Sequence, residues 1–108
     1  HVILNIDVQG ASSVRAAAQS DPQLAGRLVS VFLTPPSLGD LERRLNKRAS
    51  ESAESRARRL QQAAAELAEW SKFDYLIIST SIAEDLRRME VVLEAELMRQ
   101  QRALPPTF

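Results

Sequence analysis

Val2, Ile3, Leu4 and Ile6 form an almost unbroken apolar run that stops at Asp7, the pattern of a strand buried on both faces of a parallel sheet. Ala11, Val14, Ala17 and Ala18 then follow Gly10 at helical spacing, and Pro22 and Gly26 close that helix. A second apolar run, residues 28–33, stops at Thr34-Pro35-Pro36, because proline cannot donate to a ladder and keeps its neighbour out of the helical region. Ser37 with Asp40 three residues on has the form of a capping box, and Leu38, Leu41 and Leu45 supply the stripe of the helix it opens. From about residue 50 to 71, Ala53, Ala57, Leu60, Ala64, Leu67 and Trp70 keep a 3.6-residue period, which predicts one long helix. Residues 73–78 predict a third strand. Ser81 with Glu84 is a second capping box, opening a helix through Ile82, Leu86, Met89, Leu93 and Leu97 that Pro105-Pro106 ends.

Three apolar strands separated by helices predict an α/β fold built on a parallel sheet with helices beside it. The outer strands of so small a sheet would present unpaired edges unless more chain or a second copy covers them, so the chain reads as an incomplete portion of a domain. The 108 residues are 44% hydrophobic and 26% charged, a composition that suits a soluble folded unit. Fourteen basic residues balance fourteen acidic ones, so no global field draws the chain to nucleic acid or to an anionic membrane. Cysteine is absent and the one histidine is His1. Disulfides, thiol catalysis, Cys/His metal sites and a Ser-His-Asp triad are therefore not expected. No apolar run approaches the ~20 residues of a membrane-spanning helix, and none has the form of a signal peptide. A cytoplasmic setting is expected.

In open α/β sheets, ligands bind beyond the carboxyl ends of the strands, which singles out Asp7, Thr34 and Ser79. An acidic residue after an apolar strand suits a carboxylate near phosphate and magnesium, or one that accepts hydrogen bonds from a base. Equally, Asp7 could cap the turn at Gly10. Arg43, Arg44, Lys47, Arg48, Arg56, Arg58 and Arg59 hold half of the basic residues within seventeen positions. Arg44 and Arg48 stand four apart on one helical face, and Arg59 falls on the next helix. With a turn at residues 46–50, two helices could clamp a phosphate between guanidinium forks; a solvated face with intrahelical ion pairs is the other reading. Trp70, Phe73 and Tyr75 read as packing between the long helix and the sheet, and Met89 and Met98 as core or interface fillers. No G-x-x-x-x-G-K-[ST] loop occurs among the three glycines.

Taken in order, Ile6-Asp7-Val8-Gln9-Gly10, Pro35-Pro36-Ser37 leading into Leu41-Glu42-Arg43-Arg44-Leu45, Arg58-Arg59-Leu60 and Phe73-Asp74-Tyr75 resemble the C-terminal half of guanylate kinases over nearly the whole chain. The resemblance implies a P-loop kinase-like fold and transfer of the γ-phosphoryl group of ATP to GMP with Mg2+, with the phosphate-binding loop and most GMP contacts upstream of position 1. It implies that Asp7 lies beside the guanine of GMP and that Arg44, Arg48 and Arg59 serve catalysis around a mobile lid. It places Ser79 near the adenine of ATP, where the family usually has the first residue of Asn-Asp-Asp and this chain has Ser79-Thr80-Ser81. The implied divisions are a core part at residues 1–45, a lid and return helix at 46–70, and a C-terminal core part at 71–108. ATP and GMP are the implied partners, together with a second copy or the family's N-terminal half. A lid and one carboxylate without the phosphate cradle would be inert, so the chain alone is expected to lack activity. Two other readings stand beside this one: a degenerate, guanylate-kinase-like module that binds a protein, and a helical oligomerisation unit using the stripe from Ile82 to Leu97.

Overall fold

The computed structural model describes residues 2–46, 52–99 and 101–107. Its elements run α1 (Val8–Ser20), β1 (Val31–Thr34), α2 (Leu38–Asn46), α3 (Ala53–Leu67), a 3₁₀ segment (Ala68–Lys72), β2 (Tyr75–Ile78) and α4 (Ile82–Leu97). The α/β class holds, but the sheet has two strands rather than three. β1 and β2 pair in parallel, with Val31 opposite Tyr75 and Thr34 opposite Ile78.

The expected first strand does not form. Residues 2–6 carry no regular structure, and Val2 and Ile3 are 87% and 81% exposed. A strand is completed by its neighbour's backbone groups, and among the described residues no strand lies along this run. An apolar pattern alone therefore leaves it extended and uncovered.

The pairing of β1 with β2 starts from one knot of hydrogen bonds. Asp74 Oδ2 accepts from the Ser30 backbone N–H at 2.8 Å and from the Ser30 hydroxyl at 3.1 Å. The Asp74 N–H donates back to Ser30 Oγ at 3.0 Å, and the Tyr75 N–H donates to the Ser30 carbonyl at 3.1 Å. These contacts join positions 44 residues apart and set which residues face each other along both strands. Beside them, Phe32 and Phe73 meet edge to face with centroids 5.0 Å apart, and the Arg15 guanidinium lies 5.2 Å from the Phe73 ring centre. That stack brings α1 against the start of β2. Phe32, Ile77 and Ala18 form the buried apolar core of the described residues.

Helix starts follow the expected signals closely. Asp40 N–H donates to Ser37 Oγ at 3.1 Å while that hydroxyl donates to the Asp40 carboxylate at 2.9 Å. Glu84 N–H donates to Ser81 Oγ at 3.1 Å. Ser52 caps α3 through the Ser55 N–H. The long helix expected through residue 71 is shorter: after Leu67 the chain tightens into the 3₁₀ segment, whose last turn passes directly to β2 through Phe73 N–H on the Trp70 carbonyl. The tightening turns Trp70 outward, so that it is 51% exposed rather than packed in the core, and Met98, at 72% exposed, also fills no core position. α4 ends at Leu97, well before Pro105, on backbone caps from the Met98 N–H.

α4 is tied to the sheet by Glu96, which is buried. Its Oε1 accepts from the Tyr75 hydroxyl, while Arg99 and Arg102 pair with the same carboxylate and Arg102 also donates to the Gly26 carbonyl at 2.8 Å. Gly26 holds a φ of 78°, a left-handed conformation that glycine adopts without strain. One carboxylate thus joins β2, the loop after α1 and the segment after α4.

The Tyr75 hydroxyl, with Arg99 and Arg102 beside it, holds the Glu96 carboxyl below the usual carboxylate range, against the upward push of burial. A folded-state value below the unfolded one, about 4.3, means that Glu96 contributes its full stabilisation above about pH 5 and loses it as pH falls through the lower folded value. Glu96→Gln is therefore expected to be less stable than the parent at pH 7, with the difference shrinking below about pH 4; urea denaturation of both proteins across that range checks the slope.

Candidate functional site

The carboxyl ends of β1 and β2 are held side by side. The Ser79 N–H donates to the Thr34 carbonyl at 2.8 Å, carrying the ladder one step past β2, and the buried Thr34 hydroxyl donates to the Pro35 carbonyl at 3.1 Å. Pro35 and Pro36 stop β1 there, as their missing N–H groups require. A cleft of about 370 Å³ opens at this end between the sheet and α3. Its walls are mostly apolar, from Pro35, Leu76 and Ile78 on the strand side to Leu67 and Trp70 on the other.

On the β2 side, a polar loop follows. The Ser79 hydroxyl donates to Asp85 Oδ2 at 2.5 Å and the Thr80 N–H to Asp85 Oδ1 at 3.1 Å. Arg88 reaches back to the Ile78 carbonyl at 3.1 Å. Glu84 pairs with Arg87 and Arg88; the hydrogen bond from Arg87, with the charges of Arg87 and Arg88, holds its carboxyl below the usual range. The first turn of α4 therefore carries two carboxylates with different tasks. Glu84 anchors guanidiniums on the helix surface and Asp85 fixes the loop. Sequence reasoning did not single out Asp85. The available signal was an acidic pair in a first turn where a capping box uses only one acidic side chain.

Asp7 caps α1. Its Oδ1 accepts from the Gly10 N–H at 2.7 Å, and a Cβ at position 10 would stand 3.0 Å from that oxygen and 3.2 Å from the Ile6 Cβ. The spacing of Asp7 and Gly10 thus has a local cause, the capping reading of the pair. The carboxylate is exposed, and no hydrogen bond among the described residues joins it to the Thr34 and Ser79 end.

Arg44 and Arg59 fall on successive helices. Arg44 belongs to the last turns of α2, with its side chain outside the described atoms, and Arg59 lies half-buried on α3. α2 and α3 pack against each other, so the two positions belong to one helical pair. Arg48 and the turn expected at residues 46–50 fall outside the described residues, except for Asn46, which ends α2. Arg56 and Arg58 are exposed, and Arg43 pairs with Asp40 one turn earlier. Among the described residues, no three His, Asp or Glu side chains gather where they could hold a metal ion, and no helix is long and apolar enough to cross a membrane.

Comparison with known proteins bears on what this arrangement serves. The guanylate kinase family profile matches residues 1–96. The guanylate kinase of Bradyrhizobium diazoefficiens is 36% identical over 103 residues, covering 95% of this chain and 44% of that protein. That of Nitrobacter hamburgensis is 40% identical over 101 residues, covering 94% and 43%, and that of Gluconobacter oxydans is 42% identical over 105 residues, covering 95% and 48%. The chain spans about half the length of these curated relatives and corresponds to their C-terminal part. A match this continuous takes in Asp7, both arginine-bearing helices and the loop after β2 together, and it establishes that the chain belongs to the guanylate kinase family.

Proposed function

We propose that this chain forms the lid and C-terminal core of a guanylate kinase, an enzyme that transfers the γ-phosphoryl group of ATP to GMP and yields ADP and GDP. The observation that carries the reading is the family match over residues 1–96. In the reaction a phosphate oxygen of GMP attacks the γ-phosphorus while the bond from that phosphorus to the β,γ-bridging oxygen breaks. The transition state is loose, with charge spread over the transferring oxygens, so catalysis consists of positioning and of charge placed where it develops. Asp7, at the entrance to α1, offers a carboxylate to the N–H groups of the guanine. Arg44, Arg48 and Arg59 act on the phosphates when the lid closes, and Ser79 lies at the adenine of ATP. The functional divisions are a core part at residues 1–45, a lid and return helix at 46–70, and a core part at 71–108, within a P-loop kinase fold. Mg2+ accompanies ATP; among the described residues no three His, Asp or Glu side chains gather to hold it. The setting is cytoplasmic, and the other half of the kinase domain covers the apolar surface left open beside the sheet.

The 108-residue chain holds no G-x-x-x-x-G-K-[ST] loop to cradle the β and γ phosphates. On its own it is expected to show no turnover with ATP, GMP and Mg2+ in a coupled ADP assay, and turnover clearly above background would overturn the proposed division of labour. A protein-binding module remains the second reading, favoured by the exposed α4 stripe, in which Ile82 is 90% and Leu86 58% exposed. It is distinguished by a full-length protein that binds GMP weakly and does not phosphorylate it.

Two sets of variants in the full-length kinase test the residue roles. Asp7→Asn is expected to raise KM for GMP by about tenfold or more, the worth of one charge-assisted hydrogen bond, with KM for ATP little changed. An unchanged KM for GMP would leave Asp7 only its capping role. Arg48→Ala and Arg59→Ala are expected to lower kcat by at least about a hundredfold, a floor on what an arginine supplied by a closing element contributes, whereas Arg56→Ala should cost little. Lysine at position 48 or 59 should rescue only in part, because a point charge cannot form the planar fork. Equal small losses in all three alanine variants, measured by steady-state kinetics, would make the cluster a solvated face.

A further inference from the structure

The hydrogen bonds around Asp85 have a direction, and that direction bears on which nucleotide base the loop after β2 can meet. A carboxylate has no hydrogen to give, so the Ser79 hydroxyl must donate to Asp85 Oδ2, at 2.5 Å, as the Thr80 N–H must donate to Oδ1, at 3.1 Å. The one hydrogen of Ser79 is thereby committed. Its oxygen keeps its lone pairs, and no hydrogen bond among the described residues ends on them. Donation to a charged acceptor also polarises the hydroxyl and strengthens its oxygen as an acceptor. Meanwhile the Ser79 N–H is held by the Thr34 carbonyl at 2.8 Å, so the backbone offers no competing donor at this point.

We propose that Asp85 is a specificity-determining residue for the phosphate donor. By taking the Ser79 hydrogen it leaves Ser79 Oγ an acceptor only, matched to the 6-amino group of adenine and mismatched to the carbonyl that guanine carries at the same ring position. The inference rests on the reading that Ser79 meets the base of the donor nucleotide. It adds a distinction a serine alone could not make, since a free hydroxyl rotates to serve either edge. It also accounts for the pairing of Ser79 with an acidic residue six positions on, which neither helix capping nor the pairing of Glu84 with Arg87 and Arg88 requires.

The decisive substitution is Asp85→Asn. The Thr80 N–H still needs an acceptor, so the new carbonyl oxygen stays with Thr80 and the amide NH2 faces Ser79 Oγ. The donor direction reverses and the Ser79 hydrogen is released toward the nucleotide. In the full-length kinase, kcat/KM is measured with ATP and with GTP as phosphate donors, at saturating GMP, by following GMP consumption, because each turnover with GTP yields two GDP and each with ATP only one. The parent is expected to prefer ATP. Asp85→Asn should lower the ATP-to-GTP ratio by about tenfold, the worth of one hydrogen bond made or opposed. Ser79→Ala, which leaves the bond from Thr80 to Asp85 in place, should also lower the ratio and decides the matter if Asp85→Asn does not fold. KM for GMP should stay constant in both. A purely structural role would reduce use of both donors equally, and equal reduction, or an unchanged ratio, overturns the proposal while leaving the kinase reading intact. A parent protein that phosphorylates no GMP with either donor overturns the kinase reading itself, and this inference with it.

Discussion

The exchange of hydrogen bonds between Ser30 and Asp74 is the contact on which the rest of the described structure depends. It fixes the register of a parallel pair only four residues long on each side. Side chains alternate along a strand, so a slip of β2 by one residue would turn Ile77 out of its buried position and set a neighbouring β2 residue in its place. It would also part the Thr34 carbonyl from the Ser79 N–H. The position of the loop that Asp85 holds is therefore decided at the opposite end of the strands, by a carboxylate and a hydroxyl with no chemical part in the proposed reaction.

The two ends of the sheet show different uses of buried and half-buried charge. At the amino end of β2, Glu96 collects a tyrosine and two arginines and serves cohesion. At the carboxyl end, Asp85 spends both oxygens on a loop of three hydroxyl-bearing residues and so gives it one conformation and one hydrogen-bond direction. Small polar side chains make a poor rigid platform unless something fixes their rotors, and a carboxylate on the adjoining helix does so without closing the site with bulk. The helices α2 and α3 pack against each other, and α3 with its Leu67 end forms one wall of the cleft at this end of the sheet.

What the sequence disclosed follows the range of the interactions involved. The caps at Ser37 and Ser81 were legible because a hydroxyl and an N–H three residues away settle them locally. β1 and β2 were legible as apolar runs, although β1 starts at Val31 rather than Leu28, because the Ser30 and Asp74 knot defines where pairing begins. Residues 2–6 misled for the same reason in reverse: their pattern is that of a strand, and pattern cannot show whether a neighbour exists. Trp70 was misplaced because the change from α to 3₁₀ winding after Leu67 rotates every later side chain, and nothing in the helical period marks it. The family resemblance was legible from five short words in order, while Asp85 belongs to none of them. The contact that gives Asp85 its importance joins a loop to a helix and has no fixed spacing to recognise.

The exposed apolar surface has a thermodynamic consequence. The chain presents 8719 Å² to solvent, where a compact folded monomer of its 12.0 kDa mass presents about 6,000 Å². Unfolding therefore uncovers less new apolar area than it would from a closed core, and the heat-capacity increment, which scales with that area, is correspondingly small. A small increment flattens the dependence of stability on temperature. Covering Val2, Ile3 and Leu33 would raise that increment and steepen the profile, so its curvature reports how much of this apolar surface is covered.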